Sequence, residues 1–182
     1  MNTLDRIVES SLRSLHSDLA NTNWRGRERE IVSLFVFAHL LPLANADSAL
    51  FDPAQIGIEV AVPQVKAGVR VKRDVCKDVV IWPRPKMTCW DLSSPYPLAV
   101  IEWKSLNLQD DERARRHKLT EFQDDVSWLE QTSKLSEEFT GFAVLVTQAP
   151  ENIEVGCSRV RHGLVESNWI ALSGAKVRSH HA

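Results

Sequence analysis

The chain has 182 residues, of which 43% are hydrophobic and 25% are charged, and its formal net charge is −2 at pH 7. This length suits a single domain with one core, and the small net charge excludes a polycation that binds nucleic acid over its whole surface. Charged residues interrupt the apolar N-terminal segment and no apolar run approaches ~18 residues, so we expect a cytoplasmic protein without membrane contact.

Two helices are predicted at the start of the chain. Apolar residues recur at spacings of three and four from Leu4 to Leu19, which is typical of an amphipathic helix. Capping side chains at 21–23 precede a second predicted helix from Arg25 to Leu43. In this helix Glu28 continues the buried stripe and Glu30 does not. The other role open to Glu28 is that of a first-turn glutamate that stabilises the helix dipole.

A hairpin of two strands is predicted next. Alternating apolar residues from Ile56 to Val62 indicate a half-buried strand, and a turn is expected over Pro63 to Gly68. A second strand, either regular or with a bulge, follows from Val69 to Trp82. We expect a basic rim on this hairpin, formed by Arg70, Lys72, Arg73 and Lys77. The proline- and serine-rich segment 83–97 is interpreted as a loop.

The next predicted strand begins at Pro97 and ends in Glu102, Trp103 and Lys104. Because alternate side chains share a face of a strand, Glu102 and Lys104 should project together while Trp103 points the other way. If this strand neighbours the one that carries Asp78, then Asp78, Glu102 and Lys104 meet. The alternative is a surface ion pair worth ~0–1 kcal/mol. Both strands are apolar enough to be buried on both faces, where unpaired charges are unfavourable.

A third helix is predicted from Asp110 to about Thr132, and its inward residues should be Leu119, Phe122, Val126 and Leu129. Basic residues cluster at 113–118, where they could hold phosphates or form a solvated face. Gln123 and Asp125 are interpreted as surface or capping residues, although Asp125 lies close to the apolar stripe.

The apolar run from Gly141 to Thr147 predicts a central or parallel strand, and one further short strand is expected at Trp169 to Leu172. The element order predicts an α/β fold with a central mixed four-stranded sheet flanked by helices. Within a single domain of 1–182, we expect an N-terminal helix at 1–23, a core at 24–148 and a C-terminal extension at 149–182.

Cysteines and histidines do not indicate a site. Cys76, Cys89 and Cys157 show no CxxC or Cys/His spacing, so neither a disulfide framework nor a zinc site is supported. The six histidines have no ligand spacing, and His39, on an apolar helix, is interpreted as a core residue.

A helical glutamate, a hairpin strand with an aspartate and a strand ending in Glu-x-Lys together resemble the PD-(D/E)XK nuclease superfamily, which has the restriction-endonuclease-like fold. The matching residues are Glu28, Asp78, Glu102 and Lys104, and the resemblance covers roughly residues 24–148. The Glu-x-Lys is the only Asp/Glu-x-Lys in the chain and it ends an apolar strand. One departure is Lys77, which stands where the motif has proline.

The resemblance implies hydrolysis of phosphodiester bonds, most simply in DNA, with Mg²⁺ or with Mn²⁺ in its place. Mg²⁺ prefers carboxylate oxygens, so Asp78 and Glu102 are its implied ligands, together with the Trp103 backbone carbonyl. Lys104 would orient or deprotonate the attacking water, or offset charge in the transition state. Glu28 would hold a second metal ion or a water.

Two questions stay open at this point. A domain of the same fold can instead be a non-catalytic module that binds nucleic acid or a protein. Nucleases that cut both strands commonly form homodimers, but the sequence reveals no dimer surface, and it does not distinguish DNA from RNA.

Overall fold

The computed structural model describes residues 3–22, 25–66, 69–87, 95–149 and 151–175. Its helices are α1 (Thr3–Asn21), α2 (Glu28–Leu34) and α3 (Glu112–Ser133). Its strands are β1 (Ile56–Lys66), β2 (Val69–Ile81), β3 (Ala99–Leu106), β4 (Thr140–Gln148), β5 (Asn152–Arg161) and β6 (Leu164–Ala175). Beyond α2 the chain forms a π-helical turn at Phe35–Leu40 and a 3-10 turn at Leu41–Leu43. The second predicted helix is therefore present, but only its first part is α-helical.

The six strands form one mixed sheet whose order follows the chain, β1-β2-β3-β4-β5-β6. All neighbouring pairs are antiparallel except β3 and β4, which are parallel and connected through α3. A parallel pair needs such a crossover because both strands start at the same edge. The predicted α/β class is confirmed, as is a parallel strand at 141–147, whereas the predicted four-stranded sheet is wrong.

The two additional strands are β5 and β6, in a segment expected to hold one short strand. They form a hairpin around His162 and Gly163, whose φ angles are 51° and 72°. Positive φ at both central residues is characteristic of the two-residue turn that matches the twist of paired strands. The segment predicted as a C-terminal extension therefore adds a hairpin to the main sheet.

A hydrophobic core lies on each face of the sheet. On one face α1 and α2 pack on residues such as Ile101, Trp103 and Val79. On the other face α3 covers Val80 and Val100 with its buried residues Trp128 and Leu129. Strand β3 is thus buried on both faces, as predicted. Leu119, expected to face inward, is 41% exposed, because α3 buries its C-terminal half more than its start.

Strand β1 is longer than the sequence predicted. The expected turn at Pro63 is wrong, since β1 continues to Lys66 and its register with β2 slips between Pro63 and Val65. The predicted capping residue Asn23, the turn at 67–68 and the side chains of Arg70, Lys72 and Arg73 lie outside the described residues, as does 88–94 of the predicted loop. None of the described helices combines the length and apolar character that crossing a bilayer requires.

Candidate functional site

The candidate site lies where β2 separates from β3. These strands pair at only three registered positions, from Ile81 opposite Ala99 to Val79 opposite Ile101, whereas β3 and β4 pair at eight. Asp78 is the next residue of β2, and its Oδ2 accepts a hydrogen bond of 2.8 Å from the backbone N–H of Trp103. The fork between the strands therefore holds a carboxylate beside the Glu-x-Lys end of β3.

The alternation predicted for the end of β3 is confirmed. Trp103 is 1% exposed and packs on Phe35 in the core below α1 and α2, with ring centroids 4.8 Å apart. Glu102 and Lys104 lie on the opposite face, where both are linked by ion pairs to a network that reaches Asp125 of α3. Both charged side chains of the motif are thus directed to one place.

Glu28 reaches this place from α2. Its Oε2 accepts a hydrogen bond of 3.1 Å from the backbone N–H of Ser105, and its Oε1 lies 3.7 Å from Lys104 Nζ. Glu30 is exposed and instead accepts a hydrogen bond of 2.6 Å from the backbone N–H of Arg27. Of the two glutamates, Glu28 is therefore the one beside the motif, as its place on the buried stripe predicted.

Lys77 does not lie on a basic rim, so the prediction is wrong for this residue. It is 4% exposed, and its Nζ lies 2.7 Å from Glu102 Oε1 and 4.3 Å from the centre of the Trp128 ring. The reason is a break in the alternation of β2 at Asp78: Val79 enters the core under α1 and α2, whereas Lys77, two residues earlier, faces α3. The break lies just beyond the last pair of β2 with β3, although β2 stays paired with β1 on its other side.

Asp125 connects the two lysines. Its Oδ1 lies 3.3 Å from Lys77 Nζ and its Oδ2 lies 3.3 Å from Lys104 Nζ. The prediction of a surface or capping role is wrong for Asp125, whose side chain is 18% exposed, while Gln123 is exposed as expected. The sequence pattern that indicates this burial is the position of Asp125 near the apolar stripe of α3, because that stripe faces the sheet.

Burial dominates the electrostatics of the carboxylates. It raises the pKa of Glu102 to about 8, although the neighbouring Lys77 opposes the rise. Burial also raises the pKa of Asp78 and of Glu28 above their ordinary values. For Lys104, burial lowers the pKa, but the nearby carboxylates, Asp125 first among them, outweigh it and the net pKa is raised. Burial therefore favours the protonated forms of Glu28, Asp78 and Glu102.

The cluster has a charge suited to a divalent cation. Four carboxylates and two ammonium groups leave two negative charges when all are ionised, the groups being Glu28, Asp78, Glu102, Asp125, Lys77 and Lys104. In the described part of the chain, no three His, Cys, Asp or Glu side chains are grouped closely enough to hold a metal ion. Mg²⁺ commonly takes only one or two protein carboxylates and keeps several waters. Asp78 and Glu102 fit that need, and Lys77 Nζ, 2.7 Å from Glu102 Oε1, is a cation that already contacts one of the two.

Comparisons of the chain with models of protein families, with curated proteins and with solved structures found no match. The resemblance to PD-(D/E)XK nucleases therefore depends on the motif residues and on their arrangement. That arrangement comprises two strands that diverge, a carboxylate on each, a lysine two residues after the second carboxylate, and a glutamate from a helix.

A cavity of about 360 Å³ adjoins the cluster. Its lining contains two arginines and three amide side chains, and the full set is Arg25, Gly26, Arg27, Glu30, Asn107, Leu108, Gln109 and Gln148. None of its lining residues belongs to the cluster, but Arg27 directly precedes Glu28, and Asn107 Oδ1 accepts a hydrogen bond from the Ser105 hydroxyl near the end of β3. Guanidinium and amide groups are the side chains that most often contact phosphates and base edges.

The basic segment at the start of α3 is partly neutralised within the protein. Lys118 Nζ lies 2.7 Å from Asp110 Oδ2 and donates to the backbone carbonyl of Ser105 over 2.9 Å. Arg116 pairs with Glu112 at 2.9 Å on the exposed surface. Lys118 therefore ties α3 to the end of β3, whereas Arg113 and Arg115 are exposed to solvent.

Proposed function

We propose that this chain is a Mg²⁺-dependent nuclease that hydrolyses phosphodiester bonds in DNA. One observation carries the proposal: Asp78, Glu102 and Lys104, from two strands that diverge, lie in one cluster together with Glu28. Charged groups at this depth are unfavourable unless they are paired or bind an ion. The stability of the sheet does not require these buried charges, whereas a catalytic role would account for them.

Asp78 and Glu102 would hold the Mg²⁺ ion, with the Trp103 backbone carbonyl as the third ligand that the resemblance implies. A bound Mg²⁺ ion supplies polarisation of the phosphoryl oxygen and a lowered pKa of a coordinated water. The hydrogen bond from the Trp103 N–H fixes Asp78 whether or not the ion is present. Glu102 is restrained by its ion pair with Lys77.

Lys104 would act as a cation. Its side chain is 15% exposed and lies between Asp125 and Glu28, and these carboxylates raise its pKa despite the opposing effect of burial. A protonated ammonium group has no lone pair with which to accept a proton. We therefore assign Lys104 the role of orienting the attacking water and offsetting the negative charge that develops on the phosphate.

Nucleic acid would be held by the arginines near the site. Arg25 and Arg27 line the adjoining cavity, and Arg113 and Arg115 are exposed at the start of α3. Phosphate contacts of this kind make affinity fall as salt increases. A homodimer would place one such site on each strand of a duplex.

One observation favours the alternative, a non-catalytic module that binds nucleic acid or a protein. The ammonium group of Lys77 already lies against Glu102, so part of the cluster is neutralised without a metal ion. A purely structural network would need no further cation. Binding of Mg²⁺ or Mn²⁺ therefore distinguishes the two functions.

The test is cleavage of supercoiled plasmid, single-stranded DNA and RNA in Mg²⁺, Mn²⁺ or EDTA. Asp78→Asn, Glu102→Gln and Lys104→Met are compared with Asp124→Asn, a change at an exposed neighbour on α3. We expect metal-dependent cleavage that falls on the order of 10²-fold or more in the three site variants and is kept in the control. Circular dichroism and urea unfolding confirm that each variant is folded.

The substrate that is cut decides between DNA and RNA. Failure to cut any of them, together with no binding of Mg²⁺ or Mn²⁺ in calorimetry, would contradict the nuclease proposal and leave the binding module.

A further inference from the structure

Lys77 is almost wholly buried against two carboxylates from different elements. Its Nζ lies 2.7 Å from Glu102 Oε1 on β3 and 3.3 Å from Asp125 Oδ1 on α3, and its side chain is 5% exposed. The ring of Trp128 closes a third side at 4.3 Å, in the geometry of a cation–π contact. Lysines are rarely buried to this extent unless they are paired, so the position is a cation site built by the fold.

We propose that the ammonium group of Lys77 fills a divalent-cation position between Glu102 and Asp125, so that the site takes one metal ion rather than two. The inference rests on the proposed function, because it specifies the cofactor content of the same site. In this role Lys77 determines how many metal ions bind, and it is neither a metal ligand nor a base.

The position of Lys77 is the one that a second ion would need. In two-metal sites the ions lie ~3.5–4 Å apart. Glu102, an implied ligand of the first ion, and Asp125 both contact Lys77 Nζ. An ion that bridges Glu102 and Asp125 would have to displace Lys77 Nζ from both. Trp128 covers the lysine on its far side, which leaves it little space to move away.

The net charge of the cluster also favours a single metal ion. With Lys77 and Lys104 present, the four carboxylates have two uncompensated charges when all are ionised, as metal binding requires of its ligands, and one divalent ion neutralises them. A second ion would give the buried cluster a net positive charge. Without Lys77 the cluster would have three uncompensated negative charges, which one divalent ion does not neutralise and which favour a second ion.

The two lysines of the cluster therefore differ in their roles. Lys104 is more exposed, at 15% of its side chain, and it contacts Asp125 Oδ2 and Glu28 rather than Glu102. Asp125 gives one carboxylate oxygen to each lysine, which keeps their ammonium groups apart. Replacing Lys77 should therefore change how many ions are bound while leaving Lys104 in place.

The test counts bound Mn²⁺ per chain by calorimetry and by electron paramagnetic resonance of free Mn²⁺. The variant is Lys77→Met, and Lys134→Met, which removes an exposed lysine paired with Glu130, is the matched control. We expect one ion in the wild type, two in Lys77→Met and one in Lys134→Met. The double variant Lys77→Met/Asp125→Asn lacks a carboxylate of the new position and should return to one.

A second replacement, Lys77→Gln, keeps a group that can hydrogen-bond to Glu102 and is used if Lys77→Met does not fold. Two ions in the wild type, or one ion in the folded Lys77 variants, would overturn the inference and leave the nuclease proposal intact. No ion in the wild type but binding in the Lys77 variants would contradict the nuclease proposal and would also overturn the inferred stoichiometry of one ion. No binding in any variant would overturn both.

Discussion

The backbone N–H of Trp103 donates a hydrogen bond of 2.8 Å to the carboxylate of Asp78, one residue beyond the last registered pair of β2 and β3. A buried N–H group is rarely left without a partner, and here a side chain takes the place of the neighbouring strand. The same bond fixes Asp78 next to Glu102. Divergence of the two strands thus both opens the site and positions its first carboxylate.

Without metal ions, the stability of the protein should fall as the pH rises. Burial raises the pKa of Asp78 and Glu28, and raises that of Glu102 from 4.5 to about 8. Because the folded protein then holds protons that the unfolded chain has released, the free energy of unfolding decreases from about pH 4.5 to about pH 8 and then levels off. Urea unfolding in EDTA measures this dependence.

Glu102→Gln is the control for that dependence, since glutamine does not ionise. The variant should show a shallower decrease over the same pH range, and added Mg²⁺ should reduce the decrease in the wild type. A free energy of unfolding that rises with pH in this range would contradict the assignment.

Asp125→Asn should destabilise the protein by ~1–3 kcal/mol, because the buried ammonium group of Lys77 loses one of its two carboxylates. Cleavage should fall as well, since Asp125 is the main group that raises the pKa of Lys104. Urea unfolding and plasmid nicking measure the two effects. Asp124→Asn, at the exposed neighbouring position, should change neither. Equal results for the two variants would mean that the contacts of Asp125 are unimportant.

Gly141→Ala tests whether α3 must lie close to the sheet. A Cβ at Gly141 would come within 2.8 Å of the Leu129 side chain, so α3 would have to shift by a small distance. We expect a loss of ~1–3 kcal/mol in the free energy of unfolding and reduced cleavage, because Asp125 lies one helical turn before Leu129. Gly156→Ala is the matched control, since its Cβ would meet only the Leu145 carbonyl at 3.9 Å. Unchanged cleavage in a folded Gly141→Ala protein would show that the site tolerates this shift.

Arg27→Ala should weaken DNA binding, because Arg27 lines the cavity next to the carboxylate cluster. If it contacts a phosphate, the slope of log K against log salt should become less steep by about 1. Fluorescence anisotropy in EDTA at several salt concentrations provides the measurement. Arg13→Ala removes an exposed arginine that pairs with Glu9 on α1 and should leave the slope unchanged. An unaltered slope for Arg27→Ala would exclude the cavity from the phosphate-binding surface.

The parts of the site that sequence patterns predicted are those fixed within a single element. Strand periodicity alone places Glu102 and Lys104 on one face and Trp103 on the other. Helix periodicity likewise favours Glu28 over Glu30. The hairpin of β5 and β6 also has a local signal, the His162-Gly163 pair between Arg161 and Leu164, although His-Gly is not one of the dipeptides typical of two-residue turns.

Lys77 could not be placed in this way. Its inward position depends on the loss of pairing between β2 and β3, which is a tertiary feature without a pattern in the sequence of β2. The place of Asp125 is partly predictable. Its position near the apolar stripe of α3 follows from the sequence, but its two lysine partners come from different strands and do not. Side chains that connect several elements are thus the part of the site that periodicity does not predict.

The slip of register at Pro63 has a consequence for aggregation. Strand β1 forms one edge of the described sheet, and an exposed edge can recruit strands from other molecules. Proline offers no N–H for such an addition, and a bulge bends the strand away from the flat geometry that stacking requires. The β1 edge is thereby protected against polymerisation through strand addition, and β6 is the edge at which two sheets could join.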